Sequence, residues 1–517
     1  MSQFLGIWLL PLIYAVGCAA VFITTRQHWH IARLTASAAL VATAGAALLA
    51  LVWAQLAPLA VDVLGLTVAL LIAVLGWVIV NYSSRYLNGE PEQPRFVRAM
   101  LFTLAAVALL VVSKNLLVIV LAWAATSIGL HHLLTFYRER KAAQVVAHKK
   151  FLVSRLAEVC LAVALVLIFT ATGTLSLSGI ETHLASLDVL PVSLHVAALL
   201  FALAAILKAA QLPLHGWLIQ VMEAPTPVSA LLHAGIVNMG GFVLIRLADL
   251  VTMAPAAQAA LVIVGSLTAV LAALVMLTRI SIKVRLAWST CAQMGFMLME
   301  IGLGLYELAL LHLVAHSLYK AFAFLSAGET VRQARSVDFL EPGTARTPLW
   351  YLGALLVSAA LVVASAAVWQ WLLPAMAVPP VALLIVALGL ASLLWLEQGL
   401  TGGQFVRGVL RVLALTQLYL LWHLMFAGLA PAPASVASPL VAWVVACFAV
   451  LYCTQIWLRC YPQGRFARAF FPWAYCGFYL DETFTRLTFK IWPVTFTPLQ
   501  AQTLANRYHH AQSGESL

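Results

Sequence analysis

Apolar runs about 20 residues long, separated by short polar stretches, repeat along almost the whole chain. This length fits a helix crossing a bilayer; the roughly 10-residue alternating segments of a membrane barrel are absent. The pattern predicts an all-α polytopic membrane protein with about 15 transmembrane helices. Their approximate positions are 4–23, 34–56, 60–82, 99–113, 115–136, 148–171, 193–211, 226–248, 257–278, 286–304, 308–328, 349–373, 378–396, 407–428 and 438–457. Composition narrows the class further. Of 517 residues, 63% are hydrophobic and 9% charged, against roughly 25% charged in an ordinary soluble domain. Mean hydropathy is +0.99, which excludes soluble enzymes, disordered chains and nucleic-acid modules as readings of the whole chain.

The net charge of +11 changes meaning once its distribution is seen. Basic residues fall in every second loop: Arg26 and Arg33; Arg85, Arg95 and Arg98; Arg138, Arg140, Lys141, Lys149 and Lys150; Arg279, Lys283 and Arg285; Arg332, Arg335 and Arg346; Arg407 and Arg411. By the positive-inside rule the N-terminus is expected outside and the C-terminus in the cytoplasm of a cell inner membrane. The seven cysteines are scattered and form no CxxC pair, so no disulfide framework or zinc knuckle is expected. The N-terminus lacks a basic n-region and reads as the first spanning helix. Four regions are expected: 1–98, N-terminal helices; 99–340, a core of spanning helices; 341–460, C-terminal helices; and 461–517, a tail. The tail mixes aromatic and basic residues, which fits a segment lying in the membrane interface and equally a docking strip for a cytoplasmic partner.

A charge at a helix centre costs about 2.5–3.5 kcal/mol on insertion scales. Ionisable groups that stay within apolar runs are therefore informative: Lys114, Glu158, Lys208, Glu223, His233, Glu300, His312, His316 and Lys320. Lys208 stands in LLFALAAILKAAQLPLHGW, where Pro213 interrupts the helix and frees backbone carbonyls. Two readings fit: a lysine beside a hydrated break, or one snorkelling to the interface. Pro225 and Pro227 mark either a second interruption or an ordinary helix start. His233, two turns further in, reads as a hydrogen-bonded structural histidine or as a relay. His312, His316 and Lys320, spaced i, i+4, i+8, share one helical face over about 12 Å. They suit a hydrated proton path. A metal site is not expected, because HLVAH lacks the glutamate of HExxH. Glu158 follows Arg155 by three residues, an intrahelical ion pair or the movable counter-charge of a buried lysine.

Residues 208–217, KAAQLPLHGW, and 222–234, MEAPTPVSALLHA, resemble the signature of the antiporter-like family. That family comprises the proton-pumping subunits of respiratory NADH:quinone oxidoreductase and of multisubunit cation/proton antiporters. Residues 282–290 with 293–296, and 312–328, are similar to its next two helix starts, so the likeness covers roughly 60–335. The resemblance implies an antiporter-like inverted-repeat bundle with a discontinuous helix near 208–226. It implies that Lys208 is the central channel lysine and that Lys283, His312, His316 and Lys320 line a water-filled axis.

Departures from the family pattern sharpen the reading. Trp123 is followed by Ala124 where the family has glutamate, and Glu158 aligns with an acidic family position. Residues 354–374, ALLVSAALVVASAAVWQWLLP, hold no ionisable group where the family has a second lysine. The C-terminal segment is too short for the long lateral helix of the respiratory subunit. These features resemble the short branch forming the membrane subunit of the DAB-type inorganic carbon transporter. That resemblance implies a proton- or sodium-conducting subunit whose ion flow drives a cytoplasmic carbonic-anhydrase-like partner. The partner is expected to hold zinc, with no cofactor and no enzymatic chemistry in this chain and no nucleic-acid partner. The alternative is a subunit of a respiratory NADH:quinone oxidoreductase or a multisubunit cation/proton antiporter.

Overall fold

The structure is a computed structural model that describes residues 5–56, 62–328, 347–374, 376, 378–395, 402–431 and 437–492. The expected boundary at residue 340 and the tail beyond residue 492 lie outside the described residues. The fold is 84% helical, with no strands among the described residues. The first helices are α1 (Leu5–Ile23), α2 (His28–Leu56), α3 (Val63–Tyr86), α4 (Gln93–Val112), α5 (Leu116–Leu134), α6 (Lys141–Thr172), α7 (Leu177–Ala185) and α8 (Val192–Lys208). A one-turn α9 (Gly216–Ile219) precedes α10 (Thr226–Ala234), α11 (Met239–Arg246), α12 (Ala248–Thr252), α13 (Pro255–Met276), α14 (Ile282–Gly302) and α15 (Tyr306–Leu325). Then come α16 (Pro348–Leu372), α17 (Pro380–Ala391), α18 (Gly402–Phe426), α19 (Ser438–Cys460), α20 (Arg465–Tyr475) and α21 (Leu480–Ile491).

Among the described residues, eleven helices are long and apolar enough to cross a membrane, and three apolar helices are shorter. With α14, whose first turns carry Lys283 and Arg285, every apolar run of the sequence coincides with a helix. Several helices, α2, α4, α6, α14 and α18 among them, overrun the runs at their N-terminal ends. α6 begins at Lys141 rather than near 148, because hydropathy detects only the part of a helix facing hydrocarbon. Lys149 and Lys150 therefore lie inside α6, both buried, and are not loop charges. Lys114, conversely, is exposed in the connection between α4 and α5 rather than within a span.

Packing is centred on α10–α11, whose apolar window is entirely buried. In a membrane, close packing rather than hydrophobic expulsion joins helices. The α13–α14 crossing shows it: a Cβ on Gly265 would lie 2.5 Å from the Gly295 carbonyl oxygen, and one on Gly295 would lie 2.6 Å from that of Gly265. Only glycine permits that approach at both positions.

Asp62 anchors the end of α3. Its carboxylate accepts from the Gly65 amide at 2.9 Å as an N-cap and takes a two-pronged bond from Arg246 at 2.7 and 2.5 Å. Burial alone would raise the Asp62 carboxyl, but the guanidinium outweighs it and holds the carboxyl below the ordinary aspartate range. A carboxyl depressed in the folded state stabilises above its unfolded value, and that stability is lost as pH falls through the folded value. Asp62→Asn is expected to cost about 3 kcal/mol at neutral pH, because Arg246 is left buried without its partner. The gap from wild type should close as pH falls below about 4. Thermal midpoints in detergent at both pH values check this, and equal midpoints at neutral pH would show that the pair is idle.

Candidate functional site

The break between α8 and α10 positions the central residues. α8 ends at Lys208 itself, five residues before Pro213. The chain then passes through Ala210, whose φ of 53° lies in the left-handed region, a conformation that costs a non-glycine residue about 1–2 kcal/mol. Side chains satisfy polar groups around the turn. Gln211 Nε2 donates to the Ala209 carbonyl at 2.8 Å, the Leu212 amide donates to Thr268 Oγ1 at 3.3 Å, and Cys291 Sγ approaches the Ala210 carbonyl at 3.3 Å.

Lys208 is held inward rather than snorkelling, with its side chain 7% exposed. Its Nζ donates to the Trp123 carbonyl at 3.1 Å and to Ser127 Oγ at 3.2 Å, and lies 4.9 Å from the Trp123 ring centre. The Glu158 carboxylate stands 3.6 Å away and is also bound by Arg155 at 2.7–2.8 Å. Glu158 is thus an intrahelical partner of Arg155 and at the same time a neighbour of Lys208. Ala124 carries no carboxylate, and Glu158 reaches the lysine from α6.

A second cluster lies on α10, α14 and α15. Lys320 donates to the Leu286 carbonyl at 3.1 Å and makes a short bond to Ser289 Oγ. His312 and His316 stand 6.0 Å apart between ring centres, and His312 Nδ1 is 2.8 Å from the Glu300 carboxylate. His233 stacks on Phe324 at 4.4 Å. No described protein group bonds either ring nitrogen of His233 or His316, so each neutral ring keeps one donor and one acceptor for proton exchange. A cavity of about 720 Å3 reaches His312, His316 and Lys320 past Arg279, Arg285 and Ser289. Lys283 donates to Thr226 Oγ1 at 2.8 Å and joins the start of α10, not the Lys320 cluster. The Glu223 side chain lies outside the described residues. α16 runs unbroken for 25 residues, with no lysine, arginine, histidine or carboxylate along it.

The C-terminal helices reach this machinery. Asp481, in the first turn of α21, accepts from Lys149 at 2.8 Å and from Gln220 at 3.3 Å. A Cβ on Gly216 would lie 1.6 Å from Asp481 Oδ1. α21 is therefore seated directly beneath the broken segment. Neither this contact nor the depth of Lys150 is signalled by local sequence.

Comparison with known proteins places these features. The family described as NADH:quinone oxidoreductase/Mrp antiporter, TM, matches residues 113–345. The chain is 40% identical over 468 residues to a probable inorganic carbon transporter subunit, DabB, of Hydrogenovibrio crunogenus, covering 87% of this chain and 86% of that one. It is 40% identical over 449 residues to DabB2 of Halothiobacillus neapolitanus, covering 84% and 81%. NADH-quinone oxidoreductase subunit L of Mycobacterium tuberculosis matches at 36% over 276 residues, covering 53% of this chain and 43% of that one. Among solved structures, a chain of the Mrp complex from Dietzia sp. DQ12-45-1b shares the fold at a TM-score of 0.59 and 23% identity. The match covers 98% of this chain and 62% of that one.

Proposed function

The chain belongs to the antiporter-like family of membrane subunits, in its inorganic carbon transporter branch, and from that premise we propose that it conducts protons, or sodium, to energise a cytoplasmic partner. It is a multi-pass membrane subunit of an inorganic carbon transporter. The carbon chemistry falls to a large, zinc-dependent, carbonic-anhydrase-like protein on the cytoplasmic side of a cell inner membrane. The observation that carries this reading is the Glu158 carboxylate, bound to Arg155 at 2.7 Å and poised 3.6 Å from Lys208 beside a broken helix.

The proposed cycle uses that carboxylate as a two-position counter-charge. Its approach favours the lysine ammonium; its retreat to Arg155 favours release of the proton. His233, His316, His312 and Lys320 then offer exchangeable sites. One charge crossing 100 mV supplies about 2.3 kcal/mol, enough to bias a near-equilibrium hydration of carbon dioxide about 50-fold. Arg155 takes the carboxylate in each cycle, so the lysine discharges without leaving a bare anion in hydrocarbon. The α21 contact beneath the break gives a docked partner a mechanical route to Lys208.

The respiratory reading is weakened by α16, which offers no second lysine for a half-channel. The two readings part in a mild-detergent pull-down with mass spectrometry. A large zinc-containing soluble protein is expected to copurify. Recovery of quinone oxidoreductase or small antiporter subunits in its place would overturn the assignment.

A further inference from the structure

Lys150 is a buried cation that the cycle above does not use. It lies 5% exposed on α6, two turns before Glu158 on the same helix. Its Nζ donates to the Ser127 carbonyl at 3.1 Å, while Lys208 donates to the hydroxyl of the same serine at 3.2 Å. One residue of α5 thus anchors both amines. The charged groups close enough to act on Lys150 are Lys208, Glu158 and Arg155, with His131 on α5 beside it. Arg155 keeps 40% of its side chain exposed and is bound to the Glu158 carboxylate at 2.7 Å. Within the buried part, two ammonium groups face a single carboxylate.

That imbalance has a consequence in a poorly polarisable interior. Two like charges sharing one site and one counter-ion oppose each other, and the second proton binds against the first. A lysine kept only for packing or topology gains nothing from such a position, since a charge in hydrocarbon costs several times thermal energy. We propose that Lys150 is a second proton-exchanging site of this centre, and that Lys150 and Lys208 hold one mobile proton between them. One N–H bond breaks at the amine that discharges and one forms at the amine that charges, while Glu158 stays ionised as the common counter-ion. Lys150 thereby supplies electrostatic tuning where Ala124 supplies none. This inference rests on the reading of Lys208 as an ion-carrying residue.

The test is proton uptake by inverted membrane vesicles carrying the whole complex under an imposed potassium-diffusion potential. Lys150→Met should reduce uptake roughly tenfold or more, and Lys150→Arg should not restore it, because a guanidinium keeps its proton. Lys150→Gln, which keeps an N–H donor for the Ser127 carbonyl but cannot exchange a proton as an amine does, should reduce uptake to the same degree. Full uptake by Lys150→Met, or rescue by Lys150→Arg, overturns the proposal. If Lys150→Met does not accumulate in the membrane, Lys150→Gln decides, and wild-type uptake by that variant overturns it. Lys208→Ala in parallel separates the two levels. Loss there with normal Lys150→Met uptake sinks only the two-lysine idea, whereas normal uptake in both sinks the conducting role itself.

Discussion

Lys208→Ala is expected to abolish proton uptake and bicarbonate accumulation while the complex still assembles. The ammonium is bound by the Trp123 carbonyl and the Ser127 hydroxyl, with Glu158 3.6 Å away. Alanine at the last turn of α8 preserves helix propensity and removes a buried charge, so folding should survive. What is lost is the ammonium at the end of α8 that the Glu158 carboxylate faces. Proton uptake by membrane vesicles, uptake of labelled bicarbonate and copurification of the cytoplasmic partner measure the three quantities separately. Normal accumulation by a well-expressed Lys208→Ala protein would remove this residue from the mechanism.

Glu158→Gln should be nearly as severe. Two unit charges about 4 Å apart interact by about 4 kcal/mol at an effective dielectric of 20. The amide removes that stabilisation from Lys208 and leaves Lys150 and Arg155 without their common carboxylate. Uptake is expected to fall roughly 100-fold, with Glu158→Asp recovering part of it because the shorter side chain keeps the charge but loses reach. The measurement is the same vesicle assay, normalised to the amount of protein in the membrane. Equal rates for the glutamine variant and wild type would show that no movable carboxylate is needed.

Much of the architecture was legible in the residues. Hydropathy located the spanning helices because a bilayer demands about 20 apolar residues whatever the packing. Pro213 marked the interruption, although the helix stops at Lys208, where the strained turn at Ala210 begins. The stripe of His312, His316 and Lys320 was visible because three expensive groups repeated at the helical period. Lys149 and Lys150 misled: they close a basic run, and a basic run beside an apolar one reads as a loop. Burial depends on what packs alongside, here α5, 23 positions back, for Lys150 and α21, 332 positions on, for Lys149.

By itself the sequence determined that this chain lives in a membrane, which segments cross it, where one helix breaks and which family it resembles. These follow from local cost, the desolvation of each backbone group and side chain, which is a property of a short window. Only the tertiary structure decided which charges meet: Glu158 with Lys208, Lys150 with Ser127, Asp481 with Lys149 across 332 positions. Counter-charge pairing is a matter of distance in space, and a linear pattern does not encode that distance until the helices are packed.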